Sequence, residues 1–138
     1  MKKRNKLFAV LSVIIFLLAV LIWMPRLFGM NTYYVSSDSM EPAISKGSLA
    51  FTEQVEIQDV RVGEDVLVFT SPVNGKTFMH RVIYINETER LIYTKGDNNN
   101  TEDKELVPAE NLVGVYKTRI AGAGHIAMFM QSTAGLII

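Results

Sequence analysis

Polar and apolar residues are ordered quite differently in the first 25 positions and in the rest of the chain. Four cations, Lys2, Lys3, Arg4 and Lys6, precede a run from Leu7 to Met24 that is apolar apart from Ser12. Such a run has no polar face to turn towards water, and as a helix it would extend roughly 27 Å, enough to cross the hydrocarbon core of a bilayer. Pro25 is expected to stop or kink this helix, and Trp23 suits the membrane interface. Beyond Arg26 the pattern changes to alternation and short apolar runs: Tyr33 to Val35, Ser48 to Thr52, Asp65 to Phe69, Thr77 to Ile85, Leu91 to Thr94 and Leu112 to Thr118. These predict strands. Pro72, Asn74 and Gly75 mark a turn, and the polar stretch Asn86 to Arg90 predicts a hairpin. The expected fold is mainly β: a small antiparallel β domain with bent sheets or a partial barrel, plus one N-terminal transmembrane helix.

The same pattern divides the chain into a basic N-terminus (1–6), an anchor (7–25), a β domain (26–119) and an apolar C-terminal segment (120–138). The cations before the apolar run place the N-terminus in the cytoplasm, so the β domain lies across the cell membrane, or in the lumen if the membrane is that of the endoplasmic reticulum. A cleaved signal would have a shorter apolar region ending in a small-x-small site, and Pro25-Arg26-Leu27-Phe28 offers none, so an uncleaved anchor is expected. The tail is apolar but interrupted by Gly122, Gly124, His125 and Gln131. It is expected to be interfacial, to pack on the domain, or to begin a second anchor.

Charge and composition narrow the chemistry. The formal net charge is zero, yet Lys2, Lys3, Arg4, Lys6 and Arg26 hold five of the fourteen cations, which leaves an acidic β domain. An acidic domain without a basic, aromatic-laced stripe is a poor partner for nucleic acid. There is no cysteine, which excludes disulfides, thiolate metal sites and a cysteine nucleophile. With two histidines, His80 and His125, and no His-Glu-x-x-His spacing, no metal site is expected. His125 reads as structural or interfacial.

A serine hydroxyl needs a base within hydrogen-bond reach and a third group that fixes that base. Ser39, His80 and either Asp97 or Asp103 supply those types, and on the residues alone the two acids rank nearly equal. Asp97, between Gly96 and Asn98, also suits a tight turn. Lys76 and Lys95 leave a serine–lysine pair formally open.

Four motifs carry a resemblance: Ser37-Asp38-Ser39-Met40-Glu41-Pro42, Gly63-Glu64-Asp65-Val66-Leu67-Val68-Phe69, His80-Arg81-Val82 and Lys95-Gly96-Asp97-Asn98-Asn99. In that order they resemble signal peptidase I of the serine–histidine type, found in the endoplasmic reticulum, in archaea and in some Gram-positive bacteria. The resemblance implies a serine endopeptidase that removes signal peptides from exported preproteins without a cofactor, cutting after small residues, at a membrane. It makes Ser39 the nucleophile and His80 the base, where commoner members carry lysine. Neutral imidazole is available near pH 7, whereas a lysine must be desolvated first. It also favours Asp103 as the acid on the imidazole with Asp97 supporting the site, and gives Ser37 the oxyanion. Asp38 stands where most members have glycine, at a turn whose positive φ aspartate tolerates. Met40 and Pro42 are expected to shape the serine loop, and Tyr33 to Val35 and Val82 to wall the substrate cleft, against whose β edge the substrate lies extended. Two other readings are a membrane-tethered interaction subunit without turnover and a self-cleaving repressor. The missing DNA-binding helix pair and the anchor count against the repressor.

Overall fold

The computed structural model describes residues 2–126. Residues 127–138, most of the expected C-terminal segment, lie outside the described residues. The chain divides into two units, 1–30 and 31–138. The first is a single helix, α1 (Lys2–Leu27), long and apolar enough to cross a membrane. It runs two residues past Pro25, where a stop or kink was expected. A proline this close to the end forfeits one backbone bond of the last turn, and the chain then closes through Phe28 N–H to Pro25 C=O and Gly29 N–H to Arg26 C=O, at 3.1 and 3.2 Å.

Among the described residues, the second unit is built on one curled, seven-stranded antiparallel sheet in the form of a half-barrel. Its strands are β1 (Met30–Tyr34), β2 (Leu49–Glu53), β3 (Val66–Thr70), β4 (Thr77–Asn86), β5 (Leu91–Lys95), β6 (Val107–Pro108) and β7 (Leu112–Ile120), in the spatial order β1-β2-β7-β3-β4-β5-β6. Five coincide with the expected stretches to within two residues at either end, and β1 begins three residues before its expected start and shares only Tyr33 and Tyr34 with it. The seventh, β6, is two residues long and pairs only with Leu91 and Ile92, too short for any period to register.

β3 is the middle strand, and Val66, Leu67, Val68 and Phe69 are all buried. A run buried on both faces is continuously apolar instead of alternating. Leu67 and Phe69 join Val82, Ile92, Val107 and Val115 in the main core, and Val66 packs in a second cluster with Met40 and Ile44. Register shifts at Phe51/Thr52, Val68/Phe69 and Val82/Tyr84 bend the strands, which is how one sheet comes to have an inside.

β4 is paired differently along its length. Thr77 to Arg81 pair with β3, whereas pairing with β5 begins at Arg81 and runs outward to Asn86. His80 therefore sits where the β5 ladder stops. After β7, Gly124 N–H bonds Gly47 C=O at 3.0 Å and the His125 ring meets Tyr34 edge-on, so His125 packs against the sheet end.

Candidate active site

The loop from Val35 to Ser48 leaves β1 and returns as β2. It is held by its apolar residues, since Met40 and Ile44 are 2% and 1% exposed. Arg119 on β7 fastens its outer side, donating from Nε to the Ala43 carbonyl at 3.2 Å and from Nη1 to Ser45 Oγ at 2.9 Å. The turn after β5 supports its inner side: Asn98 N–H donates to the Ser39 carbonyl at 2.8 Å and Asn98 Nδ2 to the Asp38 carbonyl at 3.2 Å. A Cβ on Gly96 would stand 2.8 Å from the Ser39 carbonyl oxygen and 2.6 Å from Asn99 Nδ2, so only glycine allows this approach. Asp38 is exposed and does not adopt the positive φ considered for it. Among the described non-glycine residues that conformation belongs to Arg90.

Ser39 Oγ lies 3.1 Å from His80 Nε2, and His80 Nδ1 lies 2.5 Å from Asp103 Oδ2. Ionised Asp103 can only accept, so Nδ1 carries the proton and Nε2 faces Ser39 with its lone pair. Ser39 Oγ, its one proton given to Nε2, accepts from Ser37 Oγ at 3.1 Å. The imidazole is buried, with the Phe69 and Phe78 rings each 6.3 Å from its centroid. Packing against both rings restricts its rotation. Burial pushes the Asp103 carboxyl up, but the hydrogen bonds from His80 and Thr94 outweigh it and hold the group below its ordinary value.

Asp97 is elsewhere. Its carboxylate takes a two-pronged bond from Arg81, Nε at 2.7 Å and Nη2 at 2.6 Å, and Arg81 Nη1 also reaches the Glu64 carbonyl at 2.5 Å. The Arg81 bond holds the Asp97 carboxyl below its ordinary value, against the opposing effect of burial. Asp97 thus pins the turn that carries Gly96 and Asn98 to β4, while Asp103 alone of the two acids bonds the ring.

Ser37, Ser39, Met40, Lys76 and His80 lie along one cleft of about 290 Å³, whose walls include Tyr33, Tyr34 and Val35. Val82 is not part of that wall. It faces Thr94 across the β4–β5 ladder, wholly buried in the main core. Alternation puts it on the face of His80, but at Val82 that face is covered by the core side chains it clusters with, among them Leu67, Ile92 and Val107. Pro42, after a cis peptide bond, is exposed and lies outside the cleft lining. Sequence reasoning missed Thr94, which no motif marks, and the Arg81–Asp97 pair, hinted at only by Arg81 following His80. Among the described residues there is no cluster of side chains suited to a metal.

A hydroxyl, an imidazole and a carboxylate in series at the edge of a cleft form the arrangement by which hydrolases make serine nucleophilic. The chain belongs to the signal peptidase family, peptidase S26, whose family model matches residues 7–86. It is 32% identical over 109 residues to the signal peptidase complex catalytic subunit SEC11 of Candida dubliniensis, covering 70% of this chain and 63% of that protein. It is 34% identical over 95 residues to signal peptidase I W of Bacillus subtilis (67% of this chain, 49% of that one) and 37% identical over 75 residues to the human catalytic subunit SEC11C (52% and 38%). The chain thus spans less than two thirds of the length of these relatives.

Proposed function

We propose that this protein is a membrane-anchored serine endopeptidase that removes signal peptides from exported preproteins. The observation that carries the reading is the unbroken Ser39–His80–Asp103 series of contacts. Ser39 Oγ attacks the scissile carbonyl while Nε2 takes its proton. Asp103 holds the ring and stabilises its charged form, and the same proton then passes to the leaving amine. Water, activated in turn by His80, releases the acyl group from Ser39. Once Ser39 Oγ is bonded to carbon, the Ser37 hydroxyl is free to turn to the carbonyl oxygen, beside the Ser39 backbone N–H. Donors aimed at that developing charge are worth about 3 to 4 kcal/mol. Nucleophile, base and donors all come from the protein, so the chemistry draws on no cofactor.

Residues 7–25 serve as anchor, with 1–6 in the cytoplasm and the β domain across the membrane. Anchoring suits a substrate that is itself held in lipid, because confinement raises its effective concentration. The stretch Thr77 to Met79 pairs on one side with β3 and borders the cleft on the other, which supports an extended substrate lying along it with alternate small side chains in pockets. The test is to incubate the liposome-embedded protein with a preprotein and sequence the new N-terminus. Cutting after a small-x-small site that Ser39→Ala abolishes is expected. Intact preprotein with the wild-type protein would refute the reading.

A further inference from the structure

We infer that Thr94 is a positioning residue for the proposed reaction, fixing Asp103 at two points so that its carboxylate meets the His80 ring. The inference rests on the serine–histidine–aspartate reading and adds to it a residue that never touches substrate. Asp103 lies in the segment between β5 and β6, where no ladder holds the backbone. Its N–H donates to the Thr94 carbonyl at 2.9 Å, and Thr94 Oγ1 lies 2.7 Å from Asp103 Oδ2, the oxygen that meets His80 Nδ1. An ionised carboxylate only accepts, so the threonine hydroxyl donates. Thr94 is itself fixed: it is 1% exposed, next to the end of β5 and opposite Val82, on the face of the sheet that carries His80. A branched side chain is stiff at its first torsion, so the hydroxyl points where the backbone aims it. Thr94 thus carries the rigidity of the β4–β5 ladder to an acid that has none of its own.

With two donors on one oxygen, removing the hydroxyl has two consequences. The carboxylate loses a constraint on its rotation, and it keeps more negative charge for the imidazolium it faces. His80 is the charged partner of Asp103, the Arg81–Asp97 ion pair follows directly on β4, Lys76 lines the same cleft as His80, and Glu102 and Lys104 flank Asp103 in the chain. None of them is altered by the substitution, so a change in the pH profile reports on the Asp103–His80 contact.

The experiment compares Thr94→Val, Thr94→Ser and Asp103→Ala in the full chain, embedded in liposomes, by preprotein cleavage across pH. Thr94→Val keeps shape and burial without the hydroxyl. It is expected to lower kcat about tenfold, as the loss of a hydrogen bond to a charged group does, with KM within about twofold and the acidic limb of the profile moved to higher pH. Thr94→Ser, which keeps the donor, is expected to recover most of kcat and the wild-type limb. Wild-type kcat and profile in Thr94→Val, with Asp103→Ala inactive, would overturn the inference and leave the parent reading standing. So would equal losses in Val and Ser with an unmoved limb, since packing would then be the whole effect. Cleavage by Asp103→Ala at the wild-type rate would overturn both.

Discussion

Asp97→Ala tests what the turn after β5 does. The substitution removes both bonds from Arg81, each charge-assisted and worth about 1.5 to 3 kcal/mol in a protected site. The two side chains are still 27% and 21% exposed, and solvent screening brings the pair down to about 2 kcal/mol. For a domain of this size that lowers Tm by about 10 °C. The effect has a pH signature. Because the folded carboxyl lies below its ordinary value, the unfolded chain takes up a proton that the folded chain refuses. Its contribution is full above the unfolded pKa of about 3.9 and is lost as pH falls through the lower folded value. The gap between wild type and Asp97→Ala in urea midpoint, followed by circular dichroism, should therefore be wide at pH 7 and narrow towards about pH 3. Cleavage should fall as well, because Gly96 and Asn98 hold the Ser39 carbonyl. An unchanged Tm, or a gap that widens in acid, would refute the ion-pair account. Full cleavage in a destabilised variant would detach the turn from Ser39.

Other substitutions probe other contacts. Ser39→Ala and His80→Ala should each lower kcat by at least about a thousandfold, with Tm preserved in Ser39→Ala, whereas Lys76→Ala, though in the cleft, should cleave within about twofold of wild type. Equal loss in Lys76→Ala would return the base to lysine. Gly96→Ala should displace the serine loop, since its Cβ has 2.8 Å to the Ser39 carbonyl. The measurable result is a fall in kcat larger than the fall in stability, and a fully active Gly96→Ala would show that the close approach is dispensable. Val82→Ala should cost about 2 kcal/mol in a urea titration and leave the position of the cut unchanged. A shifted cut site would put Val82 back in the cleft wall.

The strands were legible because the core demanded them: β3 is apolar from Val66 to Phe69, where both its faces are covered, and burial alternates along β5 and the middle of β4, where one face is. The helix was legible for the opposite reason, having no polar face at all. β6 was not, because it depends on Leu91 and Ile92 and not on its own pattern. At the site, residue types could nominate Ser39 and His80, but the two acids looked alike. They differ only in what each meets, Arg81 16 residues earlier or His80 23 residues earlier, and which of the two each reaches is decided by how β4 pairs with β5. Val82 was misassigned because alternation gives the face of a residue but not what lies over it. Thr94 went unseen because a threonine in a strand is ordinary until an acid from a later loop arrives beside it.

Ser39 and His80 are 41 residues apart, and His80 and Asp103 are 23 apart. No short fragment of the chain contains the series, and no local helix or hairpin assembles it. The three groups meet only when the loop before β2, the inner half of β4 and the segment after β5 have all found their places. For the proposed reaction, competence to cut is therefore tied to folding of the whole domain. A nascent or partly unfolded copy has a serine without a base, and on the proposed function it is harmless to the polypeptide around it until the last of these long-range contacts closes.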